Sequence, residues 1–175
     1  MSKSLFDLSG MTALVTGGGS GLGRDIAEVL AEHGANIAVC SRKLSNCQET
    51  VEAIVRQYPV KAKAYACDVS SEEDVNRTVE EVLADFGQID ILVNNSGASW
   101  GESVEKMPIE AWQKVMGVNV TGTFLMSKAV GQQMIQNGYG KIINIGSIAG
   151  IRAESAKVLN AIGYSTSKAA VHHFT

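Results

Sequence analysis

A chain of 175 residues with 15 basic and 18 acidic side chains carries a formal charge of −3 and no basic block, which argues against nucleic acid and anionic membrane surfaces as partners. The opening Met1 to Leu8 has no long apolar run, and nothing downstream approaches membrane-spanning length. Cys40, Cys47 and Cys67 share neither metal-ligand nor redox spacing, so the reading is a cytoplasmic globular protein with free thiols, one domain over 1–175 and no metal site.

Apolar runs alternate with amphipathic stretches along the whole chain. Ala13-Leu14-Val15 reads as a short buried strand. The stretch 21–33 then places Ile26, Ala27 and Leu30 at helical spacing, with Gly34 as its stop signal. A second strand over 37–40 leads to a helix over 45–57, and Tyr65-Ala66-Cys67 closes a third strand. Ser70-Ser71-Glu72-Glu73 fits a capping box that opens a helix ending near Phe86-Gly87. Ile91-Leu92-Val93 is a fourth strand entering Asn94-Asn95-Ser96-Gly97. Pro108 suits the first turn of a long helix that runs to about Asn137. A fifth strand over 141–145 ends at Gly146-Ser147, and a last helix begins around Tyr164. This alternation predicts an α/β fold, a Rossmann-like doubly wound parallel sheet with helices on both faces and ligands at the carboxyl ends of the strands.

The chemistry-bearing residues fall at those ends. Thr16-Gly17-Gly18-Gly19-Ser20-Gly21-Leu22-Gly23 follows an apolar strand and opens an amphipathic helix. Glycines there admit close backbone approach, and the helix start offers free N–H groups to a pyrophosphate. Gly17, Gly19, Ser20, Gly21, Leu22 and Gly23 are therefore the expected dinucleotide cradle. The second strand ends in Cys40-Ser41-Arg42-Lys43, without the carboxylate that would take the ribose 2′-OH of NAD. Ser41 and Arg42 favour NADP(H), with NAD(H) as the alternative; a solvated loop arginine is the plainer reading of Arg42. Asp68 and Val69 could position an adenine, or Asp68 could be only a turn residue. Asn95 and Gly97, with Asn94, can tie neighbouring loops and face the nicotinamide ribose, or form a simple asparagine turn.

Ser147 at a strand end can donate to a substrate carbonyl, or can act merely as a local cap. Tyr164 and Lys168, four apart, share a helix face. An ammonium beside a phenol favours the phenolate and makes proton exchange with a substrate oxygen feasible near neutral pH. Lys168 can also reach ribose hydroxyls. On a helix, the adjacent His172 and His173 point in different directions and read as surface and core-edge residues. A hydride carrier and a tunable proton donor together imply chemistry between a ketone and a secondary alcohol.

These residues resemble the short-chain dehydrogenase/reductase family over nearly the whole chain. Thr16-Gly17-x-x-x-Gly21-x-Gly23 is similar to its cofactor motif, and Asn94-Asn95-Ser96-Gly97 to its Asn-Asn-Ala-Gly motif. Ser147, Tyr164-x-x-x-Lys168 and Asn119 match its catalytic tetrad. The resemblance implies that Asn119 bends the long helix and holds a water feeding protons toward Lys168. It also implies a small carbonyl or alcohol substrate of the 3-oxoacyl thioester or sugar-acid type, with 152–161, Ser99 and Trp100 shaping the pocket. A homo-oligomer is implied as well, formed through the helices after the fourth and fifth strands, with Val115, Phe124, Val130 and Met134 as apolar surface. Family members continue past the tyrosine helix with two more strands and a substrate loop. The resemblance therefore implies a domain incomplete at its C-terminus, and the alternative function is a catalytically inactive nucleotide-binding or interaction module.

Overall fold

A computed structural model describes residues 5–153, 155 and 157–175; Glu154 and Ala156, inside the pocket-shaping stretch 152–161, and the first four residues lie outside the described part. Five strands, β1 (Thr12–Thr16), β2 (Asn36–Ser41), β3 (Ala62–Ala66), β4 (Ile91–Asn94) and β5 (Lys141–Asn144), form one sheet in the order β3-β2-β1-β4-β5. All pairs are parallel, with Leu14 opposite Ala38 on one side and Leu92 on the other. The helices are α1 (Gly21–Glu32), α2 (Leu44–Gln57), α3 (Glu72–Phe86), α4 (Ile109–Met116), α5 (Gly122–Asn137) and α6 (Ile162–Phe174). Successive strands step outward from β1 through β2 to β3, and the chain then returns across β1 to lay down β4. A crevice opens at that reversal, at the carboxyl ends of β1 and β4.

Strand alternation divides the core into two layers. Leu14, Ala38, Cys40 and Leu92 face Val75, Val79, Val82, Met126 and Val130 of α3 and α5. Ala13, Val15, Ile37, Val39 and Val93 face Ala27, Ala31 and Ile54 of α1 and α2. The central strands are covered on both sides, which is why they read as unbroken apolar runs. The edge strand β5 departs from that expectation, with Ile142 and Ile143 exposed.

Several boundaries differ from the expected ones for local reasons. The third strand ends at Ala66, although Cys67 N–H still donates to Ser41 O (3.0 Å). Ser71, not Ser70, caps α3: its Oγ accepts from Asp74 N–H (3.2 Å), while Ser70 turns to the Asp68 carboxylate. Pro108 occupies the N-cap of α4 with extended ψ (140°), one residue before the first helical position. The tyrosine helix begins at Ile162, two residues before Tyr164. The long helix does not run evenly. Between α4 and α5 it loosens into a π turn, Gly117–Thr121. Gly122 follows, where a Cβ would lie 2.7 Å from Val69 Cγ2.

Of the four residues expected to supply apolar surface, Val115, Val130 and Met134 are core residues and only Phe124 is exposed. The outer face of α5 is mixed, with Lys128 and Gln132 beside the exposed Phe124 and Ile135.

Asp85 anchors the outer edge of the sheet to α3. Its Oδ2 accepts from Lys63 Nζ (2.6 Å) and Tyr65 Oη (2.8 Å), and these two bonds hold its carboxyl below the usual value of 3.8. Burial, reinforced by the same contact, pushes the Tyr65 phenol upward. A carboxyl depressed in the folded state binds fewer protons than in the unfolded chain, so its stabilisation is present above pH 3.8 and is lost below it. Asp85→Asn is therefore expected to flatten the fall in urea midpoint between pH 5 and pH 3, at the cost of a lower midpoint at neutral pH.

Candidate active site

The crevice is floored by the loop between β1 and α1. Gly17 (φ +66°) and Gly21 (φ +51°) adopt left-handed backbone, and Gly17 N–H donates to Cys40 O (2.8 Å). A Cβ on Gly18 would lie 2.6 Å from Val39 Cγ1, and one on Gly19 would lie 2.8 Å from Asn46 Cβ at the start of α2. A Cβ on Gly23 would collide with Gly17 O and Asn95 Nδ2. Ser20 caps α1 without a side-chain bond, leaving the first-turn N–H groups turned outward for an anion. The loop is thus pressed onto β2 and α2 on one side and left open on the other.

Thr16 and Asn95 fasten the base of the crevice. Thr16 Oγ1 accepts from Asn95 N–H (3.0 Å) and Ser96 N–H (2.9 Å) and donates to Val93 O (3.3 Å). Asn95 Nδ2 donates to Thr16 O (3.0 Å) and Gly17 O (3.4 Å). Asn94 points the other way, bonding Ser127 Oγ and Asn144 Oδ1 (both 2.9 Å). The asparagine pair thus joins β4 to β1 on one side and to β5 and α5 on the other.

A cleft of 280 Å³ lies above this floor, lined by Gly17, Ser20, Leu22 and Gly23, by Ser41 and Arg42, by Asp68 and Val69, and by Asn95 and Gly97. Cys67, Ser96 and Val118 complete its wall. The expected cradle residues therefore meet here, except that Gly19 turns toward α2 and Gly21 lies outside the lining. Arg42 is exposed at the end of β2, with no carboxylate beside it in Ser41-Arg42-Lys43. Asp68 Oδ1 accepts from Ser70 N–H (3.0 Å) and Oγ (2.6 Å), an Asx turn, and Asp68 N–H donates to Asp74 Oδ2 (3.0 Å).

The second part of the site is built where α6 crosses the ends of β4 and β5. The π turn places Asn119 so that Oδ1 accepts from Ala98 N–H (2.7 Å), while Nδ2 donates to Ala98 O (2.9 Å) and Ser167 Oγ (2.8 Å). Ser167 Oγ donates to Tyr164 O (2.7 Å). Lys168 Nζ lies 5.8 Å from the centre of the Tyr164 ring and donates to Ile145 O (2.5 Å). Burial lowers the pKa of that amine, because an apolar surround disfavours its charged form. Ser147 Oγ accepts from Ala149 N–H (3.2 Å), and its own O–H remains for an outward bond. Gly150 allows this turn to lie against α6, since a Cβ there would meet the backbone of Lys168 and Ala169 at 2.5 Å. A cavity of 520 Å³ beside Tyr164 is lined by Ser99, Gly101, Val158, Leu159, Asn160 and Ala161. Trp100 is half-exposed and not part of that lining.

Sequence reasoning missed three residues. Thr16, read only as the motif's first letter, is the buried hub of the crevice. Ser167 links Asn119 to the tyrosine helix, and His172 Nε2 accepts from Ser147 N–H (3.1 Å). Only His172 carried a signal, its place four residues beyond Lys168. Among the described residues no group of His, Cys, Asp and Glu could hold a metal, and no helix is long and apolar enough to cross a membrane.

An open parallel sheet with a glycine-rich loop at its reversal and a Tyr/Lys pair beside it defines a doubly wound, Rossmann-like α/β fold. The sequence matches the model of the short chain dehydrogenase family over residues 11–175, and the chain belongs to that family. It is 36% identical over 168 residues to the 3-oxoacyl-[acyl-carrier-protein] reductase of Aquifex aeolicus, covering 96% of this chain and 66% of that one. To the 2-dehydro-3-deoxy-D-gluconate 5-dehydrogenase of Bacillus subtilis it is 41% identical over 145 residues, 82% of this chain and 55% of the other. The crystal structure of an NAD+-bound xylitol dehydrogenase superposes with a TM-score of 0.90 at 39% identity, covering 98% of this chain and 64% of that chain. The chain thus spans about two thirds or less of the length of these relatives.

Proposed function

We propose that the protein is an oxidoreductase that interconverts a ketone and a secondary alcohol with NADP(H), Tyr164 exchanging the proton. The observation that carries this reading is the linked set of Asn119, Ser147, Tyr164 and Lys168, which a nucleotide-binding module would not need. A bound nicotinamide supplies or accepts the hydride. Ser147 orients the substrate oxygen through its free O–H, and Tyr164 delivers the proton in the direction of reduction. Lys168 Nζ, 5.8 Å from the centre of the Tyr164 ring and bonded to Ile145 O, offers further donors to ribose hydroxyls. Asn119 holds the 98 loop against α6, which fixes the spacing between cofactor cleft and proton donor. The substrate classes suggested by the relatives are a 3-oxoacyl thioester and a sugar acid. Following NADPH absorbance with both, and with simple ketones, tests the reading; absence of turnover with every member of the panel would overturn it.

Arg42 supports the choice of NADP(H), as the cation placed to meet a 2′-phosphate at the end of β2. Hydrogen bonds between charged groups contribute about 1.5–3 kcal/mol, so NADPH should bind roughly ten- to a hundredfold more tightly than NADH. Arg42→Asp should erase or reverse that ratio in a fluorescence titration. Equal affinities in the parent protein would count for NAD(H) instead.

Homo-oligomerisation belongs to the same reading. Phe124 of α5 and Phe174 of α6 stack edge-to-face with centroids 6.4 Å apart, and both remain exposed. Such a pair on neighbouring helices suits a symmetric contact between copies. Light scattering at micromolar concentration should show a dimer or higher assembly, and Phe124→Glu should shift it toward monomer.

A further inference from the structure

Along α6 the residues Tyr164, Lys168 and His172 recur every four positions, so they rise from one face of the helix. That face meets the chain leaving β5 twice, and the C-cap residue Thr175 adds a contact to the last residue of β5. Lys168 Nζ donates to Ile145 O (2.5 Å), His172 Nε2 accepts from Ser147 N–H (3.1 Å), and Thr175 Oγ1 accepts from Asn144 Nδ2 (3.1 Å). The imidazole is seated rather than grazing. Gly146 leaves it the necessary space, since a Cβ there would collide with His172 Nε2. The Ser147 hydroxyl oxygen is already bound to Ala149 N–H. Its position therefore follows from the main chain of Ser147, which α6 grips through the imidazole.

We propose that His172 is a positioning residue for Ser147: a neutral imidazole, protonated on Nδ1 alone, accepts from Ser147 N–H and thereby fixes the hydroxyl that faces the substrate oxygen. An Nε2 that accepts carries no proton, so the hydrogen must sit on the other nitrogen. The effect on turnover rests on the oxidoreductase reading above; the effect on tautomer and main chain does not.

Two-bond ¹H–¹⁵N correlation on the ¹⁵N-histidine-labelled chain is expected to show His172 as the Nδ1–H tautomer, and an Nε2–H tautomer would overturn the assignment. His172→Gln keeps an acceptor at nearly the same place, whereas His172→Phe fills the space without one. Exchange of the Ser147 amide should quicken about tenfold in the Phe variant, the loss of one net hydrogen bond, and stay near the parent rate in the Gln variant. Equal exchange in all three proteins would refute the proposal. In turnover, His172→Phe should lower kcat about tenfold with nucleotide Kd and substrate KM unchanged, and Gln should restore most of it. A fall in nucleotide affinity instead would mean a general structural role. His173→Phe, on the neighbouring exposed position, should leave kcat unaltered. Were the parent chain to show no turnover, the oxidoreductase reading would fail by itself, while tautomer and amide exchange would still decide the role of His172.

Discussion

Tyr164→Phe is expected to lower turnover by about 10²–10⁴-fold while leaving NADPH affinity within twofold, the range for loss of a general acid. The substitution removes one hydroxyl from a half-buried ring and leaves the ring's approach to Lys168 Nζ in place. Lys168→Ala should be comparably damaging to turnover and should also weaken NADPH, because in the proposed mechanism the ammonium would serve the phenol and the ribose together. The two losses are expected to be far from additive, since either one disables the same proton-transfer unit. Single-turnover NADPH oxidation combined with fluorescence titration separates the two effects. Substantial turnover in Tyr164→Phe would remove the tyrosine mechanism and leave the nucleotide fold standing.

Gly23→Ala is expected to do the opposite, weakening nucleotide affinity before it touches the proton-transfer residues. The added methyl would run into Gly17 O and Asn95 Nδ2, neither of which can retreat without disturbing β1 or the 94–97 loop. Overpacking of that kind costs about 1–3 kcal/mol, which corresponds to a drop in Tm together with at least a tenfold loss of NADPH affinity. Gly131→Ala on α5 is the matched control. Its Cβ meets nothing within 4 Å, so it should raise stability slightly by improving helix propensity. A Gly23→Ala protein that kept the parental Tm and affinity would show that the loop can yield to a methyl group at this position.

The architecture was legible because its signals are local. An apolar run such as 13–15, a glycine cluster, and a helix face containing Ile26, Ala27 and Leu30 each announce one element, and their alternation dictates parallel pairing. The strand-end motifs and the i,i+4 pair Tyr164/Lys168 were legible for the same reason. What stayed hidden depends on partners distant in sequence. Thr16 is 79 residues from Asn95, whose amide it accepts, and Asn119 is 48 from Ser167. Val115, Val130 and Met134 were assigned to the outside on the family resemblance, which points to a contact helix without saying which of its apolar residues face the chain's own core. The π turn carries no compositional mark either, and Asn119 alone read as an ordinary polar helix residue.

Thr16 has a consequence for how the cofactor cleft works. One hydroxyl, buried at the sheet's reversal, receives two amides from the β4 end and returns its proton to Val93 O. The ends of β1 and β4 therefore cannot splay apart or slide without breaking three bonds around one atom. Such bracing preorganises the cleft, and in the proposed complex a dinucleotide would meet main-chain donors already aimed, so the ordering entropy of binding would fall on the ligand rather than on the protein. Thr16→Val, which keeps the shape but neither accepts nor donates, should convert a rigid receptor into one that must close around its ligand. The signature would be a slower association rate with a larger unfavourable entropy, in a fold that otherwise stands.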